Sequence, residues 1–295
     1  MSENETLLFF SYGKQDLSRM PKRPAESNKG TFGRVVLVCG SVGMAGAAYL
    51  SAKAAYRVGA GLVEIVTPTP NLPVLQTLIP EAIVTPYDPA LPDADVIAHA
   101  ISRADALVVG CGLGKSEAAR AVLCTALSVS DVPIVLDADA LNLIAEAPAL
   151  LPHLAGKIIT PHPMEMSRLC ARPVEDILGN IAECAQTFAK AHGCVCVLKD
   201  HRTVVSDGSP RIYRNESGNS GMATGGSGDV LAGILGGILA QQKRAHTRDR
   251  LETAALGVYL HGLLGDCAAE RLGEYAVMAS DLIDAIPDVL RPLRK

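Results

Sequence analysis

Tryptophan is absent from this 295-residue chain, and aromatic side chains make up only 4% of it. A surface that stacks nucleic-acid bases needs more rings than that. There is no basic block either: a net charge of −4 is spread along the sequence, which argues against nucleic acid as the main partner. No CxxC pair occurs among the eight cysteines, Cys39, Cys111, Cys124, Cys170, Cys184, Cys194, Cys196 and Cys267. They read as buried free thiols of a reducing compartment, not as disulfides or zinc ligands. No apolar run is long enough to cross a bilayer, and the opening MSENETLLFF carries acids with only a short apolar stretch, so neither a membrane span nor a signal peptide is expected. Internal repeats, low-complexity tracts, Pro/Gly/Ser-rich linkers and a well-spaced GxGxxG are missing as well. One domain is the simplest reading.

What is present is a chain that is 48% hydrophobic, enough for a large core. After a polar lead-in over residues 1–28, apolar runs alternate with helical segments. Strands are expected at Arg34–Gly40, Leu62–Val66, Ala106–Gly110, Ile134–Asp137, Lys157–Thr160, Cys194–Lys199 and Thr203–Ser206. Helices are expected at Ala47–Val58, Asn71–Leu78, Ser116–Ser128, Asp176–His192, Val230–Gln241, Arg250–Arg271 and Ser280–Val289. Repeated strand–helix pairs imply right-handed crossovers and a mainly parallel sheet covered on both faces. Strands that are apolar without alternation fit that burial.

The stretch GNSGMATGGSGDVLAG, Gly218–Gly233, carries the strongest chemical signal. Its glycines run into an apolar helix whose first N–H groups are unpaired and point forward. With the helix dipole they form an anion site made of backbone, which suits a phosphate. Asp229 at the helix start is either a cap or a general base beside the bound anion.

Other turns are candidates for the same edge of the sheet: Gly40–Gly46, Gly110–Gly114 and Thr160–Glu165. His162 lies between two prolines and is either a structural hydrogen-bonder or a residue aimed from a strand end. Glu165 suits a helix start. Asp137, Asp139 and Asn142 could orient one another or a magnesium ion, though capping explains the acids equally well. Lys199 ends a strand, where it either reaches a phosphate or is simply solvated. His261, in an apolar helix, reads as a satisfied core histidine.

Together these motifs resemble the ADP- or ATP-dependent NAD(P)H-hydrate dehydratases, a branch of the ribokinase-like superfamily. The resemblance runs from Lys29 to the end of the chain. It is carried by KGTFGRVVLVCGSVGMAGAA, KAAYRVGAGLV, GCGLG, VLDADALN, TPHPMEM, GNSGMATGGSGDVLAG and YLHGLLGD. The chain departs from the family pattern at Cys111 (proline in GPGLG), Met164 (glycine in PHPGE), Ser220 (proline), Ser227 (methionine) and Asp200 (glycine after the lysine). Many members carry an amino-terminal epimerase domain, for which the residues before Lys29 are too few.

The resemblance implies a ribokinase-like three-layer sandwich over residues 29–295, with a mainly parallel central sheet flanked by helices. It implies dehydration of the S form of hydrated NADH or NADPH back to the normal cofactor at the expense of ADP or ATP, with Mg2+ expected beside the nucleotide. Asp229 would be the catalytic base. Ala47, Gly112, Gly114, His162 and Asp229 would bind the hydrated dinucleotide. Lys199, Asp200, His201, Arg202, Thr203, Thr224, Gly225, Gly226 and Gly228 would bind the nucleotide, and no residue is assigned as a metal ligand. A cytoplasmic homo-oligomer, up to a tetramer, is expected. The alternatives are a small-molecule kinase of the same superfamily, acting on a sugar or vitamin alcohol, and a nucleotide-binding module without catalysis.

Overall fold

The computed structural model describes residues 6–128, 132–242 and 249–293. Among them, ten strands form one sheet: β1 (Leu8–Phe10), β2 (Arg34–Val38), β3 (Leu62–Pro68), β4 (Ile83–Tyr87), β5 (Ala106–Val109), β6 (Ile134–Leu136), β7 (Ile158–Ile159), β8 (Val195–Leu198), β9 (Val204–Ser206) and β10 (Arg211–Arg214). Their order is β1-β10-β9-β8-β7-β6-β5-β2-β3-β4. β9 runs against both its neighbours and every other pair is parallel.

Side chains alternate across the sheet, so each strand feeds two cores. Val35, Leu37 and Cys39 face one core, packed by helices Ala45–Arg57, Ser227–Gln242, Arg250–Leu272 and Ala279–Leu290. Val36 and Val38 face the other, packed by Ala94–Ser102, Glu117–Ser128, Asp139–Glu146, Pro163–Cys170 and Ile181–His192. This is the expected three-layer sandwich. Cys194 and Cys196 fall in the same core, as their spacing requires, and all eight cysteines are free, although Cys124 is exposed.

From Val230 to Ala240, helix Ser227–Gln242 is apolar on every side because it is buried on every side. It lies on β2, β5 and β6 and against the alanine-rich helix Ala45–Arg57. A side chain on Gly233 would come within 2.2 Å of the Ser51 carbonyl oxygen, so the two backbones touch only because residue 233 is glycine.

Several elements differ from the expectation. Part of the lead-in is built into the fold: β1 pairs with β10, and Leu17 and Met20 are buried in the core (residues 1–5 lie outside the described residues). The edge strand β4, helix Ala94–Ser102 and β10 were not anticipated. β4 carries Pro86, a strand-breaking signal that only an edge position tolerates. The segment Asp176–His192 is two helices, broken at Asn180, whose φ of −153° is extended.

The chain runs β2, β3, β4 toward one edge, then returns to β5 on the other side of β2. The loops after β2 and β5 therefore lie side by side, joined by a 2.9 Å hydrogen bond from Gly40 N–H to the Cys111 carbonyl. In open α/β sheets such a switch point is where ligands bind.

Candidate active site

The Gly-rich loop reaches helix Ser227–Gln242 through Gly226, whose φ of +92° is open to glycine alone without strain. Gly228, by contrast, has no positive φ; its constraint is space. A Cβ there would lie 3.3 Å from Lys199 Nζ and 3.6 Å from Asp137 Oδ2. The loop therefore faces a lysine and a carboxylate delivered from the ends of β8 and β6.

Asp137 is buried. One of its oxygens, Oδ1, takes the Lys199 ammonium at 2.7 Å and the Thr160 hydroxyl at 2.7 Å. The other, Oδ2, has the Cys111 thiol at 3.9 Å. The next residue, Ala138, holds a positive φ of 50°, an uncommon conformation for alanine that turns the chain sharply after β6. Ligand atoms of Cys111, Asp137 and Asp229 all lie within 4.8 Å of one another.

Burial and this crowding together set the protonation of Asp229. Burial, followed by the charge of Asp137, raises its carboxyl from 3.8 to about 6, with the Cys111 thiol and Lys199 opposing and Asp139 adding. Burial works against the charge of Lys199, but Asp137 and Glu165 outweigh it and its pKa moves upward. Glu165 Oε2 stands 4.0 Å from the same ammonium.

His162 caps helix Pro163–Cys170. Its Nδ1 accepts from the N–H groups of Met164 and Glu165, while its backbone N–H donates to Glu165 Oε2 at 2.9 Å. Burial, then Lys199, lowers its pKa. The structural role is therefore real, and the ring also lines the cleft described next.

A cleft of about 960 Å³ opens over this cluster. Of the nucleotide-side residues expected from sequence, Lys199, Asp200, His201, Arg202, Thr203, Gly226 and Gly228 line it, together with His162 and Asp229. Thr224 and Gly225 do not; the Thr224 carbonyl instead accepts from Ser227 N–H at 3.4 Å. Residues 200–203 form the turn between β8 and β9, where Asp200 holds His201 at 2.8 Å and Arg202 pairs with Glu216.

Ala47, in the first turn of helix Ala45–Arg57, and Gly112 and Gly114, on the turn after β5, lie outside this cleft at the switch point. A Cβ on Gly112 would come within 2.8 Å of Ala47 Cβ, so these two share one wall. Gly114 N–H donates to Asp139 Oδ2 at 2.8 Å. Asp139 thus braces that turn, assisted by Asn142, and does not enter the cleft. Cys111, next to Gly112, connects this wall to Asp137 and Asp229.

Two contributions were missed from sequence. Asp266, in YLHGLLGD, accepts from Gly218 N–H at 2.9 Å and Asn219 Nδ2 at 3.0 Å, which explains why that motif accompanies the Gly-rich loop. His261, one turn earlier, is not merely core: its Nε2 is 3.0 Å from the Ser227 carbonyl oxygen, and it lines the cleft. An acid or histidine punctuating an apolar helix was the available signal.

A deep cleft over a helix start at the carboxyl edge of a three-layer, mainly parallel sandwich marks the ribokinase-like class. The chain overlays a ribokinase-like superfamily protein from Enterococcus faecalis with a TM-score of 0.85, at 32% identity over 99% of this chain and 98% of that one. Residues 35–288 match the family described as NAD(P)H-hydrate dehydratase, and the chain belongs to that family. It is 39% identical to the ADP-dependent (S)-NAD(P)H-hydrate dehydratase of Neisseria meningitidis, over 85% of this chain and 82% of that protein. It also overlays the ADP/ATP-dependent NAD(P)H-hydrate dehydratase of Bacillus subtilis co-crystallized with ATP and Mg2+, with a TM-score of 0.80, 28% identity and coverage of 96% and 98%. The chain spans about half the length of the bifunctional NAD(P)H-hydrate repair enzymes that it also matches.

Proposed function

We propose that this protein dehydrates the S form of hydrated NADH or NADPH, using ADP or ATP as phosphate donor. The observation that carries the reading is the meeting of Asp229, the Gly226–Gly228 loop and Lys199 in one cleft, with the Gly112 wall adjoining through Cys111. The nucleotide phosphates lie against the loop N–H groups and Lys199. The nicotinamide end lies toward Ala47, Gly112, Gly114 and His162, with Asp229 between the two.

The chemistry then balances as follows. Asp229 takes the proton of the ring hydroxyl, and the oxygen attacks the terminal phosphoryl group as the bond to its bridging oxygen breaks, releasing AMP from ADP or ADP from ATP. Backbone N–H groups and Lys199 hold the charge that shifts onto the phosphoryl oxygens. Phosphate is a better leaving group than hydroxide. The ring nitrogen pushes it out, and the neighbouring carbon gives its proton to solvent, which restores the double bond.

Magnesium suits the donor set, because Asp137 Oδ2, with only a thiol at 3.9 Å, is a carboxylate oxygen available to a hard cation. Asp137 would hold it, and it would neutralise phosphate charge. Among the described residues no helix is long and apolar enough to cross a membrane. A cytoplasmic setting and a homo-oligomer of up to four subunits belong to the same reading; light scattering reads the latter.

The decisive experiment is incubation with hydrated NADH and each nucleotide. Recovery of dihydronicotinamide absorbance with release of phosphate is the expected result. A stable phosphorylated product without that recovery makes the protein a kinase, and no turnover with tight ADP binding makes it a binding module.

The same base predicts a pH profile. Asp229 acts only when ionised, so kcat/KM falls as the pH drops through about 6. Lys199 lowers the Asp229 pKa, so Lys199→Met moves that acid limb to higher pH as well as weakening nucleotide binding. An acid limb that stays in place in Lys199→Met would remove Asp229 as the group it reports.

A further inference from the structure

Ser227 is the first residue of helix Ser227–Gln242 and lines the cleft, one position before Gly228. His261, from the middle of helix Arg250–Leu272, lies against it and lines the same cleft. Its Nε2 is 3.0 Å from the Ser227 carbonyl oxygen and 3.3 Å from the Ser227 hydroxyl. A carbonyl oxygen can only accept, so Nε2 must carry the ring hydrogen. Burial pushes the ring's pKa down to about 4; the contact with the Ser227 backbone opposes this and Lys199 adds to it. At neutral pH the imidazole is therefore neutral, with its one hydrogen on Nε2.

That fixes the polarity of the serine. Facing an N–H, Ser227 Oγ can only accept from the ring, and its own hydrogen is directed elsewhere. We propose that the Ser227 hydroxyl is a phosphate-binding donor of the cleft, oriented by His261 as a positioning residue. It adds a side-chain donor to the backbone N–H groups at the start of the helix. The proposal rests on the reading that this cleft takes the nucleotide phosphates. The phosphate it serves is negatively charged, and hydrogen bonds to charged groups are the stronger kind.

The test is calorimetric titration of the full chain with ADP and with adenosine, which lacks phosphate. Ser227→Ala is expected to weaken ADP binding about tenfold while leaving adenosine binding unchanged. Ser227→Thr, which keeps the hydroxyl, restores ADP affinity. His261→Phe weakens ADP binding to a similar degree, and the double variant loses no more than either single one, because both changes remove the same interaction. His261→Gln, which keeps a side-chain N–H donor, retains most of the affinity and serves if the phenylalanine variant does not fold. Equal ADP affinity in Ser227→Ala and the parent overturns the proposal, as does an equal loss for adenosine or a double variant that loses the sum. A parent that binds no ADP overturns the nucleotide reading itself, and the Ser227 role with it.

Discussion

Asp229→Asn should lose turnover by about a thousandfold while ADP binding stays within a few fold of the parent. The change keeps the shape and removes only the group that takes the hydroxyl proton, and positioned general bases contribute on the order of a hundred- to ten-thousandfold. ADP binding is spared because removing a negative charge beside the phosphates cannot repel them further. Stability moves the other way. The carboxyl of the folded protein titrates near 6 instead of 3.8, so the folded state favours its neutral form. That preference costs nothing below pH 4, grows as the pH rises from 4 to 6, and above 6 amounts to up to about 3 kcal/mol. The asparagine variant should therefore melt higher than the parent at pH 7.5 and no higher at pH 4. Near-parental turnover would remove Asp229 from the chemistry. An unchanged melting temperature at both pH values would show that burial and Asp137 do not raise the Asp229 carboxyl.

The second large effect is expected from Gly228→Val. Residue 228 is in the first turn of a helix, which a valine can adopt, so the protein should fold. The new Cβ, however, enters the space between the loop, Lys199 Nζ and Asp137 Oδ2, at 3.3 and 3.6 Å, and the two methyl groups extend beyond it. That is the space assigned to the phosphoryl group. Loss of one preorganised donor costs about 3 kcal/mol of activation free energy, or about a hundredfold in rate, and nucleotide binding should weaken with it. Thermal unfolding beside steady-state kinetics separates the two consequences. Parental turnover would show that the loop serves only to start the helix. If the valine variant does not fold, Gly228→Ala carries the same test, with a smaller loss from displacement of the lysine.

These two residues also show how differently sequence and structure contribute. Asp229 and its glycines are contiguous, and a Gly-rich turn entering an apolar helix is a local pattern with a local cause, the unpaired N–H groups of the first turn. The alternation of apolar runs with helical segments is equally local, and it was enough to predict a parallel sheet between two helical layers. Even here a detail escaped: the positive φ belongs to Gly226, while Gly228 is small because of what stands opposite. The short elements escaped too. Three-residue β1 and proline-bearing β4 have no periodicity of their own and exist because the neighbouring strands offer open edges.

The sequence by itself determined the layered parallel fold, the Gly-rich loop that enters the helix and the acid at its end, because each follows from the residue spacing within a single element. The tertiary structure alone decided what that acid meets. Asp137, Lys199 and Cys111 stand just past the ends of β6, β8 and β5, and only the strand order sets them around Asp229, where burial and then Asp137 raise its pKa to about 6 against the opposing Cys111 and Lys199. It also separated Ala47, Gly112 and Gly114 from the cleft, and joined His261 to Ser227 and Asp266 to Asn219 across 34 and 47 residues of chain. The physical reason is that backbone propensity and side-chain period act over a few residues. Burial, charge and hydrogen bonding act between whichever groups the packed layers bring within a few ångströms.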